Sequence, residues 1–242
     1  MKVIINGACG RMGMKLTDLV KQGVYGAELV AGVDISGGAD YTSLDDVPVR
    51  ADVIIDFTNH SACKTLVEYA ARTLTPVVIA TTGHTEEEMA AIDEAAQKTA
   101  VFMSSNMSVG IALLADLAKQ AAKAMGDADI EIVETHHNRK ADAPSGTAYM
   151  LAEAIREARP ELYVKTGRSG YGKRDKNELG IQSVRVGNVI GEHEVIVGTD
   201  AQTIKLKHEA HDRILFAEGA LRAAKFICGK PAGKYNMKDL FK

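Results

Sequence analysis

The sequence predicts an α/β protein in which a doubly wound parallel sheet is followed by a smaller α+β region. Three observations predict it. Short apolar runs alternate with helical patterns from Lys2 to Ser104, and a glycine-rich turn, Gly7-Ala8-Cys9-Gly10-Arg11-Met12-Gly13, joins the first run to the first helix. From Ile181 onward the pattern changes to period-two runs separated by Gly-containing turns. Alternating strands and helices bury both faces of a parallel sheet, whereas period-two runs suit strands with one face covered.

Taken in order, Lys2 to Asn6 is a short apolar strand, and a helix follows with Leu16, Leu19 and Val20 on one face, stopped by Gly23. The glycines between them let the turn tighten, let backbone approach a pyrophosphate and let the helix pack on the strand, with the phosphate at the helix N-terminus. The spacing is GxxGxxG rather than GxGxxG. Leu29 to Val33 then reads as a second strand ending at Asp34. A carboxylate there can hold the hydroxyls of an adenosine ribose and favours NAD, while the Arg11 guanidinium could meet the 2′-phosphate of NADP, so both dinucleotides stay open. Strands are expected at Val53–Phe57, Val77–Ala80 and Val101–Ser104, with helices near Ser61–Thr73 and from Thr85, where Thr85 and Glu88 make a capping box. The runs Asp56-Phe57-Thr58, Thr81-Thr82-Gly83 and Ser104-Ser105-Asn106 fall at strand ends that border the ligand crevice of such a sheet, where they could touch cofactor ribose and nicotinamide.

A composition shift near Ser108 marks a domain boundary. Ile111 to Met125 reads as a helix closed by Gly126, and Thr166 to Gly180 as a mobile loop that is Gly-, Lys- and Arg-rich. Strands at Ile181–Val186, His193–Val197 and Thr203–Leu206 suggest an antiparallel or mixed sheet, and Asp212 reads as the N-cap of a last helix, Arg213 to Ile227. The resulting division is 1–107 for a dinucleotide-binding domain and 108–211 for a substrate-binding and oligomerisation domain, with about 212–242 packing back onto the first.

At 242 residues and 46% hydrophobic content the chain can build a real core. A net charge of -3 argues against a nucleic-acid or acidic-membrane partner. The three cysteines, Cys9, Cys63 and Cys228, are odd in number and dispersed, so neither a disulfide framework nor a zinc pattern is expected and a cytoplasmic location is. His208 and His211 lack the Cys or carboxylate companions of a metal site, and no metal is expected. No run is long enough for a signal segment or a membrane span.

The densest chemistry lies in Glu131 to Met150, EIVETHHNRKADAPSGTAYM. A short strand, Glu131 to Thr135, leads into a polar loop with His136, His137, Arg139 and Lys140, and a helix opens near Ser145. Pro144 suits the first turn of that helix, whose free N–H groups, with the Ser145 and Thr147 hydroxyls, form a cradle for a carboxylate or phosphate. Imidazole can give or take a proton near neutral pH, so a cationic anion clamp beside two histidines reads as acid/base chemistry on a negatively charged substrate.

These motifs resemble the dihydrodipicolinate reductase family over nearly the whole chain: GACGRMG at Gly7–Gly13, DFT at Asp56–Thr58, TTG at Thr81–Gly83, SSNMSVG at Ser104–Gly110 and ETHHNRKADAPSGTA at Glu134–Ala148, continuing through Arg185, Gly187, Gly191-Glu192-His193 and the closing Arg213, Phe216, Gly219-Ala220 pattern. The resemblance implies a Rossmann cofactor domain binding NADH or NADPH, a substrate and tetramerisation domain, and a homotetramer. It implies reduction of a cyclic dicarboxylate, 4-hydroxy-tetrahydrodipicolinate, in the diaminopimelate route to lysine. Carried onto this chain, it makes His136 the proton donor or acceptor and Lys140 a second donor, with His137, Ser145, Gly146 and Thr147 on the substrate carboxylates. The cofactor would be held by Gly7, Ala8, Cys9, Gly10, Arg11, Met12, Asp34, Ala80, Thr81, Thr82, Ser104, Ser105, Asn106 and Met107. Ala80 stands where many members carry Gly, and Ile35 rather than a basic residue follows Asp34. With the two sites in different domains, closure is expected to bring nicotinamide to substrate. Competing readings are a semialdehyde or aspartate dehydrogenase, which needs no SGT cradle, and a redox sensor that binds dinucleotide without turnover.

Overall fold

The computed structural model describes residues 1–241, which divide into two compact units, 1–108 with 213–241, and Val109–Asp212. The first unit begins β1 (Lys2–Asn6), α1 (Arg11–Lys21), β2 (Glu28–Val33), β3 (Val53–Asp56), α2 (Cys63–Thr73), β4 (Val77–Ile79), α3 (Glu86–Ala95) and β5 (Ala100–Met103). The second holds α4 (Val109–Ala124), β6 (Asp129–His136), α5 (Gly146–Arg156), β7 (Tyr163–Thr166), β8 (Glu178–Arg185), β9 (Gly191–Gly198) and β10 (Thr203–Ala210). The chain then returns to the first unit with α6 (Ile214–Ile227) and β11 (Gly233–Tyr235).

In the first unit six strands pair in the order β11-β5-β4-β3-β1-β2, every pairing parallel. Ile4, Ile54, Val77, Ile79 and Val101 meet Leu66, Val67, Ala70 and Ile92 of α2 and α3 in one cluster, while α6 packs on α1 and on β3, β4 and β5. Strands covered on both faces need continuous apolar runs, which is what Val53-Ile54-Ile55 and Val3-Ile4-Ile5 provide. In α6, Leu221 and Ile227 are fully buried, each contributing about 1.5–3 kcal/mol. The capping box at Thr85 is present in both directions. The strand β11 was not foreseen: three residues of a Gly- and Pro-containing tail carry no periodicity, and only the open edge of β5 recruits them.

The second unit is a mixed five-stranded sheet, β10-β9-β6-β8-β7, in which β9 runs antiparallel to β6 and β10 while β6, β7 and β8 run parallel. Along β6 burial alternates strictly, so Ile130, Ile132, Glu134 and His136 face inward together. The first two join the core with Ile111, Leu114, Ala118, Leu151 and Ile155 of α4 and α5. The same inward face turns polar at its carboxyl end, and β9, running the other way, brings His193 opposite Glu134.

Three expectations need correction. Pro144 is not in the first turn of α5: Ser145 is the N-cap, its hydroxyl accepting the Ala148 N–H at 3.2 Å, and Gly146 opens the helix. Pro144 fits before the cap because it has no N–H to satisfy. Asp212 does not cap α6, which starts at Ile214 with Arg213 in the cap position. Thr166–Gly180 is a loop only over 167–177. Its ends belong to β7 and β8, and between them the half-buried Arg174 donates to Asp129 (2.8 Å) and to the carbonyl of Ile130 (3.0 Å), while Arg168 pairs with the buried Glu178. A basic run reads as solvated unless its acids are known to be near, and those acids sit on another strand. Among the described residues no helix is long and apolar enough to cross a membrane, and no group of three or more side chains suited to a metal comes together.

Candidate functional site

In the first unit the turn after β1 has the shape the glycines call for. Gly7 has φ +83°, and a Cβ on Gly13 would stand 2.0 Å from the Gly7 carbonyl oxygen, so α1 lies directly against the turn. Gly10 at the cap of α1 offers no side chain, which leaves first-turn N–H groups of α1 for an anion. The half-exposed Asp34 carboxylate accepts the Cys9 N–H at 3.0 Å on one oxygen and the Ser36 N–H at 3.0 Å on the other. The bonds from Ser36, then that from Cys9, hold it below the ordinary carboxylate range. It is therefore an anion fixed beside the turn. Arg11 is exposed at the start of α1, and Ala8, Cys9 and Met12 are half-buried around it. The residues of the turn suit a dinucleotide: uncapped N–H groups could take a pyrophosphate, and a fixed carboxylate could take a ribose.

The strand ends are arranged differently from expectation. Asp56 is buried and accepts from Asn6 (2.8 Å), Thr58 (2.7 Å) and Thr81 (2.6 Å). Burial pushes its carboxyl up, and those donors only partly offset this. The Thr58 and Thr81 hydroxyls are thus committed to a buried brace between β1, β3 and β4, and what Thr81 can offer a cofactor is backbone. The run after β5 is also self-braced. Ser104 donates to the Asn106 carbonyl (2.8 Å) and the Asn106 side chain accepts the Ser108 N–H (2.8 Å), with Met107 buried and Ser105 exposed. Ala80 is half-buried and Thr82 exposed beside that brace.

In the second unit a polar cluster is built beneath the start of α5. Glu134, with no exposed surface, accepts from Arg185 on both oxygens (2.9 and 2.8 Å), from the Ser145 N–H (3.2 Å) and from Nδ1 of His136. Burial would push this carboxyl up, but hydrogen bonds from His136, Arg185 and Ser183 hold it well below its usual range. An ionised carboxylate only accepts, so Nδ1 of His136 carries a proton. Nε2 of His136 lies over Gly191, where a Cβ would stand 3.1 Å away. His193 meets the His136 ring edge to face at 5.2 Å and places Nε2 3.2 Å from the Ser145 hydroxyl oxygen. Lys140 pairs with Asp142 at 2.8 Å, and Gly146, Thr147 and His137 sit at or near the surface around the mouth of α5.

The fold thus brings His136, Lys140, His137, Ser145, Gly146 and Thr147 into one unit, with His136 and Ser145 tied to a single carboxylate. Ser145 is 2% exposed and already occupied by Ala148 and His193, so its hydroxyl braces the cradle more than it lines it. The parts that residue-by-residue reading missed are Glu134 as the organiser and Arg185 and His193 as its neighbours. Strict alternation along β6 was the available signal, because a Glu on the inward face of a buried strand demands a partner.

Burial, then the adjacent His136, push the His193 imidazole down to about 3. Unfolded, it would bind a proton near pH 6.5. The unfolded chain therefore holds more protons between those values, and stability falls as pH drops from about 6.5 toward 3. Glu134 adds the same sign below its ordinary value of 4.5. Urea midpoints taken from pH 7 down to pH 4 should decline, and less steeply in His193→Gln; equal slopes would count against a neutral buried imidazole.

Each part of the chain matches known proteins. Residues 1–107 match the family model described as dihydrodipicolinate reductase, N-terminus, and residues 110–241 match its C-terminus. The 4-hydroxy-tetrahydrodipicolinate reductase of Caldanaerobacter subterraneus subsp. tengcongensis is 45% identical over 248 residues, covering 100% of this chain and 98% of that one. The enzyme of the same name from Clostridium perfringens is 40% identical, covering 99% and 98%. Among solved structures, dipicolinate-bound dihydrodipicolinate reductase from Paenisporosarcina sp. TG-14 superposes with a TM-score of 0.82 at 25% identity, covering 98% of this chain and 97% of that one. With both halves matched in order along its length, the chain belongs to the dihydrodipicolinate reductase family.

Proposed function

We propose that this protein reduces 4-hydroxy-tetrahydrodipicolinate to tetrahydrodipicolinate at the expense of NADH or NADPH, in the route to diaminopimelate and lysine. The observation that carries this reading is the buried Glu134–His136 pair beside the N-terminus of α5, in a chain of this family. When bound, the reduced nicotinamide supplies hydride. Electron density then arrives on the ring-nitrogen side of the substrate, and a positioned acid must quench it. His136 fills that role when protonated on both nitrogens: Nε2–H gives its proton to the substrate, and Glu134 keeps the Nδ1 proton on the neutral ring that remains. Lys140, about three-quarters covered, is the second donor, with Asp142 keeping it in place.

The substrate carboxylates are held by the N–H groups of Gly146 and Thr147, the Thr147 hydroxyl and His137. Arg185 matters here although it is not one of the residues that hold the substrate. Its guanidinium balances the Glu134 charge, so an incoming dianion does not face an isolated carboxylate. For the dinucleotide, Asp34 favours a free ribose hydroxyl and Arg11 accommodates a phosphate, so both forms serve.

The test is absorbance at the reduced-nicotinamide band with freshly generated substrate. Oxidation of NADH or NADPH that depends on substrate is expected, and no oxidation of either would end the reading. The second unit is the expected assembly surface. Val184, Val186 and Ile204 are 42%, 51% and 39% exposed at its sheet, and light scattering should report a homotetramer rather than a monomer.

A further inference from the structure

We propose that Glu134 is a positioning residue for the reduction: one buried carboxylate that fixes a proton on Nδ1 of His136, so that the proton exchanged with the substrate is the one at Nε2, and that also anchors the first residue of the anion clamp. This rests on the reading of His136 as proton donor and deepens it. Oε1 accepts from the Ser145 N–H (3.2 Å) and Arg185 (2.8 Å), and Oε2 from Arg185 (2.9 Å) and His136 Nδ1. Only an ionised carboxylate can accept at all four positions, because an acid or amide must donate from one end. Arg185 donates as well to the Asp142 carbonyl at 2.6 Å, which ties the loop carrying Lys140 to the same centre. Proton donor, clamp and second donor thus share one anchor.

The groups facing the pair come from every neighbouring element. Arg185 and Ser183 face it from β8, His193 from β9, the Ser145 N–H from α5, and Lys140 with Asp142 from the loop between β6 and α5. Arg185 and Lys140 oppose a positive charge on His136, and Glu134 is the buried anion that offsets them. A glutamine at 134 must turn its NH2 toward either Arg185 or His136. Toward Arg185 two donors collide. Toward His136 the amide needs Nδ1 as acceptor, which moves the neutral ring's proton to Nε2 and removes the counter-charge of the imidazolium.

Ring 15N spectra of the wild-type protein, with His136 assigned by its loss in His136→Gln, should show a neutral form protonated on Nδ1; a form protonated on Nε2 overturns the proposal. In Glu134→Gln, kcat should fall by about 100-fold or more. The limb on which kcat declines with rising pH should move to lower pH, while KM for the dinucleotide stays within about twofold. Glu134→Asp should recover part of the rate. A fall in kcat with the profile unmoved would mean that Glu134 only supports the fold. If Glu134→Gln does not fold, the wild-type spectrum decides alone. Failure of the wild-type protein to oxidise NAD(P)H would remove the functional reading without touching the spectrum, so the two can fail separately.

Discussion

Replacing His136 by glutamine is expected to lower kcat by about two to four orders of magnitude, the usual worth of a positioned general acid. Glutamine is the informative choice. Its amide can still donate to Glu134, so the buried carboxylate keeps a partner in place of Nδ1 and the fold is spared an uncompensated charge. What disappears is the proton at Nε2. Adding Lys140→Ala should deepen the loss, since the second donor stands on the loop that follows His136, where it pairs with Asp142. KM for the dinucleotide should stay within about twofold, because neither residue belongs to the unit that carries the glycine turn. Steady-state kinetics alongside thermal melts separate the outcomes. Full turnover in the double variant would favour a dinucleotide-binding sensor over a reductase, whereas a collapse in both kcat and melting temperature would mean only that the site is structural.

Replacing Gly13 by valine should cost dinucleotide affinity by about 100-fold or more and destabilise the first unit by about 1–3 kcal/mol through overpacking. Any Cβ at this position falls 2.0 Å from the Gly7 carbonyl oxygen and 2.8 Å from Cα of Ala8. No rotamer relieves that contact, because it involves backbone on both sides. Helix α1 must move away from the turn, and its first-turn N–H groups leave the place where a pyrophosphate would sit. Gly10→Ala is the control. There the nearest contact is 3.3 Å, which a small shift relieves, so a milder effect is expected. Fluorescence titration with NADH measures the affinity, and circular dichroism checks that the variant is folded. Ordinary NADH binding by folded Gly13→Val would mean that the pyrophosphate lies elsewhere.

Legibility differed between the units for a physical reason. The turn after β1 is local: strand, glycines and helix are contiguous, and a steric demand at Gly13 is written in the residue itself. The Thr85–Glu88 capping box is equally local, spanning one helical turn. The Asp56 brace was half legible. Its residues stand out as polar runs at strand ends, but only the parallel pairing of β1, β3 and β4 shows that they bond one another rather than a ligand. The anchoring of the loop at Arg174 was not legible because its partners, Asp129 and the Ile130 carbonyl, lie more than 40 positions away in sequence. Pro144 and Asp212 were each displaced by a residue or two, since several neighbours can serve as a cap and tertiary packing chooses among them.

By itself the sequence determined the parallel sheet, the glycine turn and the clustering of His136, Lys140, Ser145, Gly146 and Thr147, because periodicity, turn geometry and helix capping act over a few residues. The tertiary structure alone decided that Glu134 stands at the centre. Arg185 reaches it across 51 positions and His193 through antiparallel pairing, and strand register, not local preference, brings such residues to one carboxylate.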